Sequence, residues 1–214
     1  MAKGKIMSVL LGILLAVLTT FKDGTFHTTY EAEVSAPIDS CNQAIDSMIY
    51  YLQTDPEMLS EKFFCGLGMQ DDKSKNAFYI HWKESSYDAD KQYSRLVLDV
   101  LVDEKPFMKN VVVESRVVDT IVGDKRDLRV NIYYAGTLIK EAYGSFHLEP
   151  IRANVSRMAM DVHVKFGWFF RIFISRKVYS DTVDWRLVRF VHNLKLTAEG
   201  VTPTDEYWNT QSAL

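Results

Sequence analysis

Five histidines, two cysteines and one well-placed tyrosine are the residues of this chain best equipped to act as bases, nucleophiles or ligands. Their spacing assembles no known reaction centre. His27, His81, His147, His163 and His192 form no HxH or HxxxH pair, the spacings that set two imidazoles on one face of a strand or helix for a metal. No Gly-x-Ser-x-Gly elbow, glycine-rich phosphate loop or tight carboxylate motif occurs. Asp161 and His163 fall on one face of an alternating segment, an arrangement that more often marks a solvated surface than a catalytic pair. Tyr134 carries more information, since a hydroxyl on a buried face must find a partner. Cys41 and Cys65 either pair, closing a loop whose cross-link would contribute roughly 3 kcal/mol, or stand as two reduced core thiols. Neither has a His or Cys neighbour at zinc-ligand spacing. No metal or cofactor is expected, and catalysis is the less favoured reading.

The elements that position these residues are written in the hydrophobic pattern. In Val155 to Phe166, Met158, Met160, Val162, Val164 and Phe166 face one way, while Arg157, Asp161, His163 and Lys165 face the other, as a half-buried strand requires. After Gly167 the period lengthens. Tyr179, Val183, Leu187, Phe190, Val191, Leu194 and Ala198 recur at spacings of three and four, the stripe of an amphipathic helix. Upstream, Phe26 to Val34 alternates as a first strand. Pro37 and Asp39 then open a helix carrying Cys41, Ala44, Ile45, Met48, Ile49 and Leu52 on one side, and Asp55-Pro56 starts a second, shorter helix to Phe64. From Cys65 onward a period of two predicts a meander of strands at Cys65 to Gln70, Asn76 to Glu84, Ser94 to Val102, Val111 to Ile121, Leu128 to Ala135, Leu138 to Leu148 and Val155 to Phe166. Short turns link them, which favours antiparallel neighbours.

Composition excludes some partners. With 47% hydrophobic residues, 25% charged residues and a formal charge of -3, the chain has globular composition and no basic footprint for nucleic acid. Lys3 and Lys5 precede an uncharged run from Ile6 to Phe21, which is an export signature. As a helix that run spans only about 24 Å against a hydrocarbon thickness of about 30 Å. No small-x-small cleavage site follows it clearly, so residues 1–24 read either as a signal peptide or as an N-terminal membrane anchor, with the body outside the cytoplasm. Residues 25–200 form the folded domain. Residues 201–214, rich in Thr and Pro after Gly200, read as a flexible tail.

The order strand, two helices, seven strands, long helix resembles the START-like, polyketide cyclase and Bet v 1-like superfamily. Three stretches carry the resemblance: Glu33-Val34-Ser35-Ala36-Pro37-Ile38-Asp39, Gly144-Ser145-Phe146-His147-Leu148-Glu149-Pro150, and Phe166-Gly167 followed by Arg176 to Leu196. It implies an α+β helix-grip fold: a curved antiparallel sheet of about seven to eight strands wrapped around the C-terminal helix, with two short helices after the first strand. It implies no shared catalytic set, so no active-site residue is carried over.

Such a fold keeps a cavity between sheet and helix, and strand parity nominates its lining. Phe78, Trp82, Leu98, Tyr134, Phe146, Met158 and Met160 on the sheet, with Val183 and Leu187 on the helix, are the candidate ligand-binding residues. The ligand class is a small hydrophobic or lipid-like molecule. Two alternatives stand beside this reading: a cyclase-like or hydrolase-like enzyme using cavity polar groups such as Tyr134, and a scaffold whose groove is collapsed. The aromatic and basic segment Gly167-Trp168-Phe169-Phe170-Arg171-Ile172-Phe173 either closes one end of the groove or meets a membrane surface.

Overall fold

The computed structural model describes residues 24–63, 65, 78–88, 90–102, 105–137, 139–168, 170–172, 174–204 and 207–208. Seven strands form one antiparallel sheet in the order β1-β7-β6-β5-β4-β3-β2. They are β1 (Thr25–Val34), β2 (Phe78–Asp88), β3 (Tyr93–Val102), β4 (Lys105–Val122), β5 (Lys125–Tyr134), β6 (Ile139–Arg152) and β7 (Val155–Phe166). Strands β2 to β7 are a meander of hairpins. The first strand joins the far edge beside the last, Thr28 opposite Val162 and Val34 opposite Ser156. The candidate strand Cys65 to Gln70 lies outside the described residues apart from Cys65, which sits in a turn.

The sheet bends where ladders slip. Register shifts fall between Trp82 and Glu84, Leu98 and Val100, Glu114 and Ser115, Ile139 and Glu141, and Pro150 and Arg152. Each bulge sharpens local twist and coils the sheet toward its concave face. At the β4–β5 hairpin, two residues make the turn and Gly123 takes φ +60, the left-handed conformation such a turn needs.

Helices α1 (Ile38–Thr54) and α2 (Pro56–Phe63) follow β1. Pro37 sits extended at the start of α1 with Asp39 in its first turn, where a negative charge offsets the exposed backbone N–H groups. Pro56 ends α1, and the Asp55 carboxylate accepts from Met58 N at 3.0 Å to cap α2. At the C-terminus, α3 (Arg176–Tyr179), a π-helical turn (Ser180–Asp184) and α4 (Trp185–Ala198) follow without a break, giving the single rod that the periodicity predicts.

The core divides into three clusters. The largest gathers α1, α2 and the end of α4 against β6 and β7, with Cys41, Ile45, Phe63, Leu148, Met158, Val191 and Leu194 among its buried members. A second, at the start of the rod, packs Phe26, Ala142, Val164, Phe166 and Tyr179. The third, Leu98, Val100 and Val111, belongs to the far strands.

Of the expected tail, residues 201–204 and 207–208 are described, and they return to the body of the fold. Trp208 is buried, and its Nε1 donates to Asn193 Oδ1 at 2.9 Å. The same Asn193 amide donates to the carbonyls of Phe63 and Cys65, each at 3.0 Å. One buried side chain thus ties α4, the end of α2 and the tail together. Cys41 and Cys65 are thiols and do not form the candidate disulfide. Cys41 belongs to the buried stripe of α1, and burial pushes its thiol pKa up.

Candidate functional site: the groove between sheet and C-terminal helix

Cross-strand rows locate the site. Toward α1, one concave row runs Leu128, Phe146, Met160, Tyr30. Toward the other end, a parallel row runs Ile132, Ala142, Val164, Phe26. Phe146, Met160, Val164 and Phe26 are buried, so these two rows are filled core. Between them lies Val117, Val130, Gly144, Val162, Thr28. Its apolar members are only half-buried although they face inward, and Gly144 contributes no side chain. Val183 and Leu187 on the rod are likewise half-buried and pack on the two flanking clusters. The middle row is thus less covered than the rows on either side of it, and Val130 and Gly144 also border the depression on the outer face described below.

The β1 end of that row is polar. Thr28 is 2% exposed. Its Oγ1 donates to Asp184 Oδ1 at 2.6 Å and lies 2.7 Å from the Tyr179 hydroxyl. A hydroxyl has one proton, so with Thr28 donating to the carboxylate, Tyr179 must donate to Thr28. The order of donation is Tyr179 to Thr28 to Asp184. Tyr179 is fully buried, stacked on Phe26 with ring centroids 4.6 Å apart, and burial, ahead of the nearby Asp184 charge, raises its pKa. The Ser180 hydroxyl donates to Asp184 Oδ2 at 3.4 Å. Both Tyr179 and Asp184 border the π-turn, a departure from regular α-helix that is frequent at functional sites.

At the other end of the rod, Tyr30 approaches His192 Nδ1 with its hydroxyl at 3.4 Å, and Tyr207 approaches Nε2 at 3.1 Å. Burial, then Lys195, lowers the pKa of His192, with Glu199 opposing. Burial thus favours the neutral form of an imidazole that sits between two phenols.

The nominated residues do not all come together. Phe146, Met158 and Met160 are buried in the large cluster. On the rod, Leu187 packs against the large cluster and Val183 against the second. Leu98 belongs to the separate far-strand cluster and does not meet them. Phe78 and Trp82 take their expected places in β2, opposite Val102 and Leu98. Tyr134 requires correction: it is 50% exposed. The β5–β6 ladder stops at Ile132 opposite Ala142, and beyond it Tyr134 still pairs with Glu114 of β4 but not with β6, so its half-exposed side chain is no buried anchor. The buried hydroxyl is that of Tyr179 instead. Asp184 also escaped the sequence reading, though a signal existed. It precedes Leu187, Val191, Leu194 and Ala198 at spacings of three, four, three and four, a carboxylate on the apolar stripe.

The aromatic segment after β7 meets the groove's end. Phe170 packs on the second cluster and contacts Phe107 of β4 edge-to-face at 6.4 Å, joining opposite sides of the curved sheet. Trp168 remains 70% exposed beside them in sequence.

The outer face of the sheet is different in kind. It carries a wide, open depression of about 480 Å³, lined by Arg116, Arg129, Asn131, Glu141, Tyr143 and Asp161 among others. His163, expected beside Asp161 on a solvated face, stacks on Tyr143 at 4.5 Å and approaches His27 at 3.1 Å. Among the described residues no group of three or more His, Cys, Asp or Glu side chains is placed to hold a metal.

Comparison with known proteins agrees at the level of fold. No family model and no curated protein matches the chain. Among solved structures, the ZhuI aromatase/cyclase from Streptomyces sp. R1128 matches with a TM-score of 0.50 and 11% identity, over 82% of this chain and 94% of that one. A conserved protein from Geobacillus kaustophilus matches at 0.49 and 12%, over 82% and 96%. Norcoclaurine synthase from Thalictrum flavum matches at 0.47 and 10%, over 84% and 88%. The likeness is one of fold: a curved antiparallel sheet gripping a C-terminal helix, as in the aromatase/cyclase.

Proposed function

We propose that this protein binds a small hydrophobic or lipid-like molecule in the groove between the concave sheet face and the C-terminal rod. The observation that carries this reading is the half-buried middle row of Val117, Val130, Gly144 and Val162 between two filled rows. Apolar groups left wet inside a fold gain about 25 cal/mol for each Å² that a ligand covers, and a concave apolar strip with a few convergent polar groups is the usual form of a small-molecule site. Phe107 and Phe170 stand where such a ligand would enter.

Filling the strip tests the reading. A Cβ at Gly144 would lie 3.3 Å from Val162 Cγ2, so Gly144→Leu must push its side chain into the groove. Wild-type protein should brighten N-phenylnaphthylamine on uptake, and Gly144→Leu should lose most of that signal at a stability cost of about 1–3 kcal/mol. Val130→Phe provides the same obstruction should the first variant fail to fold. Equal uptake by folded variants and wild type would count against the groove.

The same reading places the domain outside the cytoplasm, tethered by or released from residues 1–24. Lys3, Lys5 and the uncharged run from Ile6 to Phe21 support it. They lie outside the described residues, and among those described no helix is long and apolar enough to cross a membrane. Sequencing the mature N-terminus after fractionation separates the forms: a start near Gly24 means cleavage, and an intact leader in the membrane fraction means an anchor. An intact leader in the cytosol would contradict both. The exposed Trp168, with Arg171, Arg176 and Lys177 close in sequence, supports a mouth facing a lipid surface.

A further inference from the structure

We infer that the groove selects ligands whose polar end donates a hydrogen bond, an amine or a hydroxyl, and that Asp184 is the residue that makes this selection. The inference rests on the ligand-binding reading above and adds the chemistry of the polar end.

A carboxylate is an anomaly at this position. Asp184 continues the stripe of Leu187, Val191, Leu194 and Ala198, and the last three of these are buried against the sheet and α1. Its orientation inward is fixed by the 2.6 Å bond from Thr28, a residue that is itself buried on the concave face. No Lys or Arg forms an ion pair with Asp184 among the described residues. Among the described residues its hydrogen-bonding neighbours are hydroxyls: Thr28 at Oδ1 and, at a long 3.4 Å, Ser180 at Oδ2.

A carboxylate offers about four acceptor sites, so most of its capacity is unused. The donors around it are also already committed. Tyr179 donates to Thr28, and Thr28 donates to Asp184, so neither hydroxyl has a proton left for an incoming acceptor. This end of the wet row is therefore rich in acceptors and poor in donors. It complements an ammonium, an amine or an alcohol, and it repels a carboxylate or phosphate head. The half-buried strip of Val162, Gly144 and Val130 begins at Thr28, so an apolar tail along that strip brings its head group to Asp184. The π-turn brings the rod's polar residues Ser180 and Asp184 to the same place.

Displacement of N-phenylnaphthylamine from the full chain by dodecylamine, dodecanol and dodecanoate tests this, because the three share a tail and differ in the head. Dodecylamine or dodecanol should compete at concentrations about tenfold lower than dodecanoate, the scale of one charge-assisted hydrogen bond gained or one repulsion relieved. Dodecylamine ahead of dodecanol assigns a cationic ligand, and the reverse order a neutral one. Asp184→Asn keeps an acceptor for Thr28 and should erase the preference while retaining probe uptake. Asp184→Leu, which completes the apolar stripe, serves as the second variant should the amide fail to fold. Equal competition by all three heads, or a preference unchanged in the folded variants, would overturn the inference and leave the groove standing. No probe uptake by wild-type protein would instead remove the groove itself.

Discussion

Buried polar side chains tell more about this protein than its buried apolar ones. Arg126, on the concave face at the end of β5, is 3% exposed and held by Asp119 at 2.5 Å and Asp46 at 2.7 Å, so it pins α1 to the sheet. His192 is similarly enclosed and carries a consequence for pH. Its folded-state pKa is lowered from an ordinary value of 6.5, so the unfolded chain binds its proton more readily. Stability from this group is present in full above that value and declines as pH falls beneath it. Urea midpoints should therefore drop between about pH 8 and about pH 5.5, and His192→Phe should flatten the part of the fall due to this group. A slope unchanged by that substitution would assign the pH response to other groups. Tyr134 and Tyr179 illustrate how far single residues can be read. Parity along β5 places Tyr134 inward, but its ladder with β6 stops at Ile132, and a strand's own alternation carries no record of where a ladder stops. Tyr179 was legible as a stripe residue. Its bond to Thr28 spans 151 positions and has no local signature.

Elements were far easier to read than their ends or their long-range contacts. Alternation in Val155–Phe166 matches β7 to the residue, because one face is core and the other solvent along its whole length. Strand β4 runs from Lys105 to Val122, well beyond the expected start at Val111, since its early residues are largely exposed and carry little pattern. The rod was legible from Tyr179 to Ala198, but its π-turn was not: one extra residue per turn shifts the stripe without breaking it. Nor was the return of the tail. Thr202, Pro203 and Thr204 read as coil, and coil they are, yet they deliver Trp208 to a buried position on α4. Trp208→Ala should therefore cost about 3–5 kcal/mol in chemical denaturation, and Asn193→Ala about 2–4 kcal/mol by orphaning an indole N–H and two carbonyls. Because both act on one joint, the double variant should lose less than the sum of the two. Strict additivity, or a neutral Trp208 substitution, would show the tail to be dispensable.

At the scale of the whole molecule, the helix-grip architecture follows from two needs. A long alternating sheet must cover one apolar face, and one amphipathic rod with two short helices is too little to cover it completely. The sheet is filled at both ends of the rod, and between them Gly144 and the valines of its row are only half-buried. A bound ligand should stabilise the fold in proportion to the logarithm of its concentration over its dissociation constant, so any natural occupant should survive gentle purification. Native mass spectrometry of the protein isolated from its own host is the most direct measurement. A folded species carrying the mass of one small apolar molecule, absent from folded Gly144→Leu or Val130→Phe protein prepared alongside, is the expected result; repeated preparations at the bare polypeptide mass, with wild type and variants alike, would contradict it.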